Sequence, residues 1–382
     1  MKPKIYHEKF KKEIVLLVFV FVLFYTLIPL VTKAATLYLI PQSQTIHQGN
    51  TFIVEVRLDT EGEEINAVKA DLEFSPDLLK ASDFSKGGSI LNLWAKEPVF
   101  SNEEGFISFA GGLPGGFRGK GLALKITFLA KETGKANVSF KEDSQVLLND
   151  GKGTPALLVF LEGNYEIVKK PEGLPIISSR TNPDQNKWYN QNTLHLHWDL
   201  VEGVQYSYIL SKDPLAESDG IPDKPEGELI WMGDMEYPNL EDGIYYFSLR
   251  QKLPGKDWSE RVSFRAMIDV TSPKEFTLEI GQDPSMFGGK YFLSFATTDK
   301  TSGIDYYEVK EGKQDFKKVS SPYLLEDQSL GKKIVVQAYD KAGNYQTAEI
   351  KPPYKITWKD VVIPLLILIG ILVGWRLIRK FK

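Results

Sequence analysis

The chain contains no cysteine and only four histidines, His7, His47, His195 and His197. The first absence excludes disulfides, thiol nucleophiles, iron–sulfur clusters and Cys-based zinc sites. The second leaves little material for a hydrolytic triad or a multi-histidine metal centre. No excess of positive charge is present either: 46 Lys and Arg stand against 50 Asp and Glu, a net charge of −4, which argues against bulk nucleic-acid binding. Long amphipathic helical periodicity is missing, so coiled coils and helical bundles are set aside. What is present is 42% hydrophobic and 12% aromatic, with 31 Gly and 21 Pro over 382 residues, too apolar for a disordered polymer and long enough for two or three folded units.

The two ends carry the only long apolar runs. Lys2, Lys4, Lys9, Lys11 and Lys12 precede an uncharged stretch from Ile14 to Val31, and small residues surround Thr32-Lys33-Ala34-Ala35. Residues 1–35 therefore read as a signal peptide or a retained signal-anchor. At the other end Val361 to Trp375 is uncharged, flanked by Ile356, Thr357, Leu377 and Ile378, so the run approaches the ~20 residues that cross a bilayer. Trp358 and Trp375 sit at its margins, and Arg376, Arg379, Lys380 and Lys382 follow. Residues 356–378 are expected to form a transmembrane helix and 379–382 a basic cytoplasmic tail, which places the intervening chain outside the cytoplasm.

Between the ends the period is two. Phe52, Val54, Val56 and Leu58 alternate against Ile53, Glu55, Arg57 and Asp59; Val68, Ala70, Leu72 and Phe74 oppose Lys69, Asp71 and Glu73. The same pattern recurs at Leu122–Phe128, Leu194–Leu200, Tyr245–Leu249, Tyr291–Phe295 and Ile334–Ala338. Each describes a strand with one face in a core and the other in water. Breaks at Lys169-Lys170-Pro171-Glu172-Gly173 and at Asp269-Val270-Thr271-Ser272-Pro273 divide this region into 36–168, 172–270 and 273–352, and Pro352-Pro353 stiffens the approach to the last apolar run.

The segments Gly49–Val56 and Ile65–Leu79, with Gly105-Phe106-Ile107-Ser108-Phe109, Leu124–Phe128 and Ser144–Gly151, together resemble a cohesin domain over residues 36–168. The resemblance implies a nine-stranded jelly-roll sandwich, related in fold to some carbohydrate-binding modules, that docks a dockerin module. It also implies a docking face on the strand before the Ser75-Pro76-Asp77 turn. Cohesins carry an Asn and an Asp there, and the aligned positions in this chain are Ala67 and Lys69. Ala67, Lys69, Asp71 and Glu73 are therefore the candidate partner-binding residues, with an altered charge pattern that would oppose a conventional dockerin. Residues 172–270 resemble a fibronectin type III or immunoglobulin-like module, through Tyr206-Ser207-Tyr208-Ile209-Leu210 and Leu240–Arg250. Residues 273–352 resemble another such module, through Ser302–Val309 and Ala338-Tyr339-Asp340-Lys341-Ala342-Gly343-Asn344. Such modules usually act as spacers.

Other motifs compete. His195, His197 and Asp199 alternate with Leu196 and Trp198 and so share a strand face, which permits zinc chelation but reads equally as a solvent-facing row. Asp213, Glu217, Asp219 and Asp223 crowd one loop that could take calcium, although the EF-hand order is missing and a solvated acidic loop is the plainer reading. Gly111 to Gly121 is glycine-rich but lacks the Gly-Lys-Ser/Thr and helix of a phosphate loop, so it reads as a flexible connection. Trp94, Trp188, Tyr189 and Trp231 are not placed by alternation and could stack on sugars.

The expectation is an all-β chain: a cohesin-like jelly-roll sandwich and two immunoglobulin-like β-sandwiches between a signal or anchor segment and a C-terminal transmembrane helix. It would be a binding and scaffold protein, not an enzyme, with no cofactor and no metal. Its partner would be a protein such as a dockerin, or alternatively a polysaccharide held by the head, or none if it is purely structural. It would contact the lipid bilayer through its C-terminal helix.

Overall fold

The computed structural model describes residues 34–223, 233–352, 362–363, 365–371 and 376. Nearly all of the expected 1–35 segment, Trp231, much of 356–378 and the 379–382 tail lie outside the described residues. Among the described residues no helix is long and apolar enough to cross a membrane. Residues 362–363 and 365–371 are helical, and Ile363, Leu365, Leu366, Ile367, Leu368, Ile369 and Ile371 are exposed.

The chain forms two compact units. One comprises the chain through Phe84 with Ser89–Lys170, and the other Ser85–Gly88 with the chain from Pro171 onward. The first unit holds β1 (Ala35–Ile40), β2 (Ser43–His47), β3 (Thr51–Asp59), β4 (Ile65–Phe74), β5 (Leu79–Ser85) and β6 (Leu93–Ser101). It continues with β7 (Phe106–Phe117), β8 (Lys120–Ala130), β9 (Gly134–Phe140), β10 (Gln145–Leu148), β11 (Leu158–Leu161) and β12 (Gly163–Val168). One sheet runs β11-β1-β3-β8-β5; the other runs β2-β12-β9-β4-β7-β6, with β10 beside β4. The implied nine strands are thus twelve segments. Part of the excess arises because the chain changes sheet at Pro41, which has no N–H to carry a ladder onward, and leaves β1 and β2 as separate strands.

Alternation builds the head core as read. Val54, Val56 and Leu58 from one sheet and Val68, Ala70 and Leu72 from the other are each at most 1% exposed. Phe52, Phe74, Phe128 and Tyr165 add contacting aromatic rings. Each fully buried aliphatic of this kind contributes about 1.5–3 kcal/mol. At the rim, β6 is an edge strand whose pairing to β7 skips Glu97 and Pro98.

One expectation is overturned here. The glycine-rich stretch is not a flexible connection: Gly111 to Phe117 completes β7 and β8 begins at Lys120. The glycines serve close packing at some positions and positive φ at others. A Cβ on Gly111 would lie 3.0 Å from the Leu91 side chain, and Gly115 and Gly116 take positive φ where the pairing of β7 with β4 bulges.

The second unit holds β13 (Ser178–Ser179), β14 (Trp188–Tyr189), β15 (Leu194–His197), β16 (Gln205–Ser211), β17 (Asp234–Tyr237), β18 (Gly243–Lys252) and β19 (Val262–Ile268), forming sheets β13-β15-β17 and β14-β19-β18-β16. Their core centres on Trp198, ringed by Tyr206, Tyr208 and Phe247. It also holds β20 (Leu278–Gln282), β21 (Tyr291–Phe295), β22 (Ile304–Glu311), β23 (Lys317–Val319), β24 (Tyr323–Leu324), β25 (Ile334–Asp340) and β26 (Tyr345–Ile350), in sheets β20-β21-β24 and β23-β22-β25-β26. A separate core of Leu293, Phe295, Val309, Leu325, Ile334 and Val336 lies between these last two.

Candidate functional site

The side chains of β4 divide as the period-two pattern requires. Val68, Ala70, Leu72 and Phe74 face the core; Ala67, Lys69, Asp71 and Glu73 are at least partly exposed on the other face. The register then sets their neighbours. Ala67 lies opposite Gly112, Lys69 opposite Ala110, Asp71 opposite Ser108 and Glu73 opposite Phe106 on β7. Beyond them on β6, Leu93 pairs with Gly112, Lys96 with Ala110 and Val99 with Ser108.

Three of the four candidate residues are tied into polar contacts. Lys69 Nζ bridges Asp71 Oδ2 at 2.9 Å and Asp143 Oδ2 at 3.1 Å, and also donates to the Asp143 carbonyl at 3.2 Å. Ser108 Oγ donates to Asp71 Oδ1, and Lys96 Nζ donates to Ser108 Oγ at 2.6 Å. The result is one chain of contacts, Asp143–Lys69–Asp71–Ser108–Lys96, lying across β6, β7, β4 and the turn before β10. Glu73 accepts a long bond of 3.5 Å from Ser139 Oγ. Burial works to raise the Asp71 carboxyl, but the Ser108 hydrogen bond and Lys69 outweigh it and hold it below its ordinary value. Bonding to Asp71 and then Asp143 raises the Lys69 ammonium in turn.

Ala67 makes a different contribution. With Gly112 and Ala110 it forms a lane of small residues, beside which Leu93 stands 62% exposed. Leu93, Lys96, Ser108 and Asp143 are not legible as site residues from sequence, because the register that brings them to β4 is set by hydrogen bonds between distant segments. The one available signal is Ser108, a polar residue between Ile107 and Phe109.

The remaining motifs resolve differently. His195 is not solvent-facing: it is 4% exposed with neither ring nitrogen hydrogen-bonded. Its Nε2 lies 3.9 Å from Asp234 Oδ1 on the neighbouring β17. His197 Nδ1 contacts Asp234 Oδ1 at 3.2 Å, and its Nε2 lies 3.6 Å from Asp199 Oδ1, an exposed side chain beyond the strand end. The acids of the 213–223 loop are spent on local structure. Asp213 and Asp219 accept the backbone N–H groups of Leu215 and Ile221, Asp223 accepts that of Tyr208, and Glu217 lies 3.8 Å from Arg250.

Three of the four unplaced aromatics, Trp94, Trp188 and Tyr189, fall among the described residues. Trp94 packs against Phe109 in the head, while Trp188 is 7% exposed and Tyr189 pairs on the same β14 of the second unit. An aromatic row does exist elsewhere in the second unit. Tyr306, Tyr339 and Tyr345 stack across β22, β25 and β26 at 4.8 and 5.3 Å, with Lys318 Nζ 3.7 Å from the Tyr306 centroid. Tyr339 and Lys318 both lie against Tyr306, while Tyr345 is tilted against Tyr339 and stays 51% exposed.

With that geometry in place, comparison with known proteins adds the following. No family model and no curated relative matches the chain. Solved structures similar to it include a type I cohesin–dockerin complex from Clostridium thermocellum, 18% identical over 36% of this chain and 95% of that one, with a TM-score of 0.31. The third cohesin ScaC of Acetivibrio cellulolyticus, in complex with the ScaB dockerin, is 14% identical over 35% of this chain and 99% of that one, TM-score 0.30. A cohesin module of a family 33 glycoside hydrolase from Clostridium perfringens is 10% identical over 36% and 100%, TM-score 0.30. About a third of the chain is similar to these cohesin structures. Likenesses of this size say nothing about what the head binds; that question rests on its own surface.

Proposed function

We propose that the cohesin-like head is a protein-recognition module and that Ala67, Lys69, Asp71 and Glu73 lie within its docking face. The observation that carries this reading is the juxtaposition on one sheet face of an exposed Leu93, the small-residue lane Ala67–Ala110–Gly112 and the ordered contacts from Asp143 to Lys96. A flat lane of small residues lets a partner approach the sheet closely, and an exposed leucine supplies an anchor. Charged groups already held by their neighbours lose little freedom on docking. A dockerin is the partner in the solved complexes from C. thermocellum and A. cellulolyticus. A dockerin-like partner of this chain would have to meet Lys69 with an acceptor rather than a donor.

The mechanism is display, without catalysis. The exposed apolar side chains of Ile363, Leu365, Leu366, Ile367, Leu368, Ile369 and Ile371, and the Arg and Lys residues that follow in sequence, support a membrane anchor at 356–378 with the tail 379–382 in the cytoplasm. The domains 172–270 and 273–352 then act as spacers outside. Polysaccharide binding by the head has less behind it, since Trp94 is laid against Phe109 and no open row of rings accompanies it among the described residues.

The test uses the full chain, immobilised and exposed to surface proteins of the cells that make it, beside Leu93→Glu and Lys69→Glu. A retained protein whose affinity falls at least tenfold in both variants is expected. A glycan array that binds the chain while no protein is retained, or capture that ignores both substitutions, overturns the reading.

A further inference from the structure

Within the second unit, Asp269, Asp299 and Asp340 are all buried, and one carboxylate oxygen from each lies within 4.8 Å of the other two. They come from three separate places in the chain: directly after β19, in the loop after β21, and at the end of β25. Backbone N–H groups aim each carboxylate. Thr271 and Ser302 donate to Asp269 at 3.2 and 3.0 Å, Thr301 and Gly303 to Asp299 at 3.0 and 2.8 Å, and Ala342 and Asn344 to Asp340 at 2.9 Å each. Asn344 Nδ2 holds the second Asp340 oxygen at 2.9 Å.

A second observation is independent of the acids. Ser302 is 0% exposed, and its hydroxyl has no hydrogen-bond partner of normal geometry. Its own backbone N–H donates to Asp269 Oδ2 at 3.0 Å, which holds the residue against that carboxylate. A buried hydroxyl left unpaired is costly and calls for an explanation. Neutral N–H donors orient three carboxylates but do not cancel their charge, and burial strengthens the repulsion among them. A cation among them would answer both problems.

The donor set selects the ion. It is all oxygen, which disfavours zinc, a metal taken chiefly by nitrogen and sulfur. Calcium bonds oxygen at roughly 2.3–2.6 Å, so opposite ligands stand about 4.6–5.2 Å apart, a span that contains all three oxygens. Magnesium bonds at about 2.0–2.1 Å and keeps several waters, which suits a buried cluster poorly.

We propose that Asp269, Asp299 and Asp340, with the hydroxyl of Ser302, form a calcium site that ties the end of β19 to the loops following β21 and β25. Asp269 begins the Asp-Val-Thr-Ser-Pro junction, so the ion would join that junction to the sandwich built on Leu293 and Val336.

The full chain in detergent, stripped with EDTA and desalted, is titrated calorimetrically with calcium chloride and in parallel with magnesium chloride. Thermal unfolding is followed with and without each ion. One calcium per chain and a rise in Tm of about 5 °C are expected at saturation. Asp299→Asn and Asp340→Asn keep the shape and the acceptor oxygen but remove a charge. Each is expected to weaken calcium binding at least tenfold and abolish the Tm rise, while unfolding in EDTA no earlier than the parent. Absence of heat and of a Tm shift up to millimolar calcium, an equal response to magnesium, or undiminished binding in the variants overturns the site. Should Asp299→Asn fail to fold by circular dichroism, Asp340→Asn decides.

Discussion

Asp71 shows what one side chain in the head contributes. It receives Ser108 Oγ and Lys69 Nζ while only 15% exposed, and these partners depress its carboxyl against the opposing effect of burial. A carboxylate whose folded pKa lies below its unfolded value adds stability above the unfolded value, about 3.9, and loses that contribution as pH falls through the folded one. Asp71→Asn is therefore expected to cost about 1–2 kcal/mol at pH 7, after discounting for partial exposure. The gap to the parent should close below about pH 4. Urea unfolding of both proteins between pH 2 and pH 7 checks it. The identity of Asp71 as an outward residue was legible from alternation. Its partners Ser108 and Lys96 were not, because strand register depends on pairing between distant segments.

The turn after β4 shows how an element is terminated. Ser75-Pro76-Asp77 ends the strand, and Gly105 approaches it so closely that an added Cβ would lie 2.6 Å from the Phe74 carbonyl oxygen and 2.9 Å from Pro76 Cδ. Gly105 also has φ +68, in the region L-residues avoid. Gly105→Ala combines both penalties and is expected to destabilise the head by about 1–3 kcal/mol, measured as a lowered urea midpoint with unchanged slope. Strands with one wet face were the readable elements, since Val68, Ala70, Leu72 and Phe74 announce their side by period alone. The β7 glycines were misread because sequence displays a missing side chain but not the Leu91 that fills its space. The three converging aspartates escaped for a related reason. Each reads singly as a turn residue, and only folding brings them together.

For the whole molecule, the proposed arrangement puts every sandwich on one side of a bilayer and leaves a few basic residues on the other. Digestion of intact cells with a broad protease is expected to release fragments from 36–352, while lysed and intact cells yield the same tail-proximal remnant. Protection of the sandwiches in intact cells is the contrary result. A head displayed in this way would meet neighbouring copies with the edges of its sheets. The outer rim of the head suits such crowding: β6 is interrupted at Glu97 and Pro98, and Pro98 offers no amide hydrogen to a neighbour. Along that edge, an identical head finds no continuous ladder to extend.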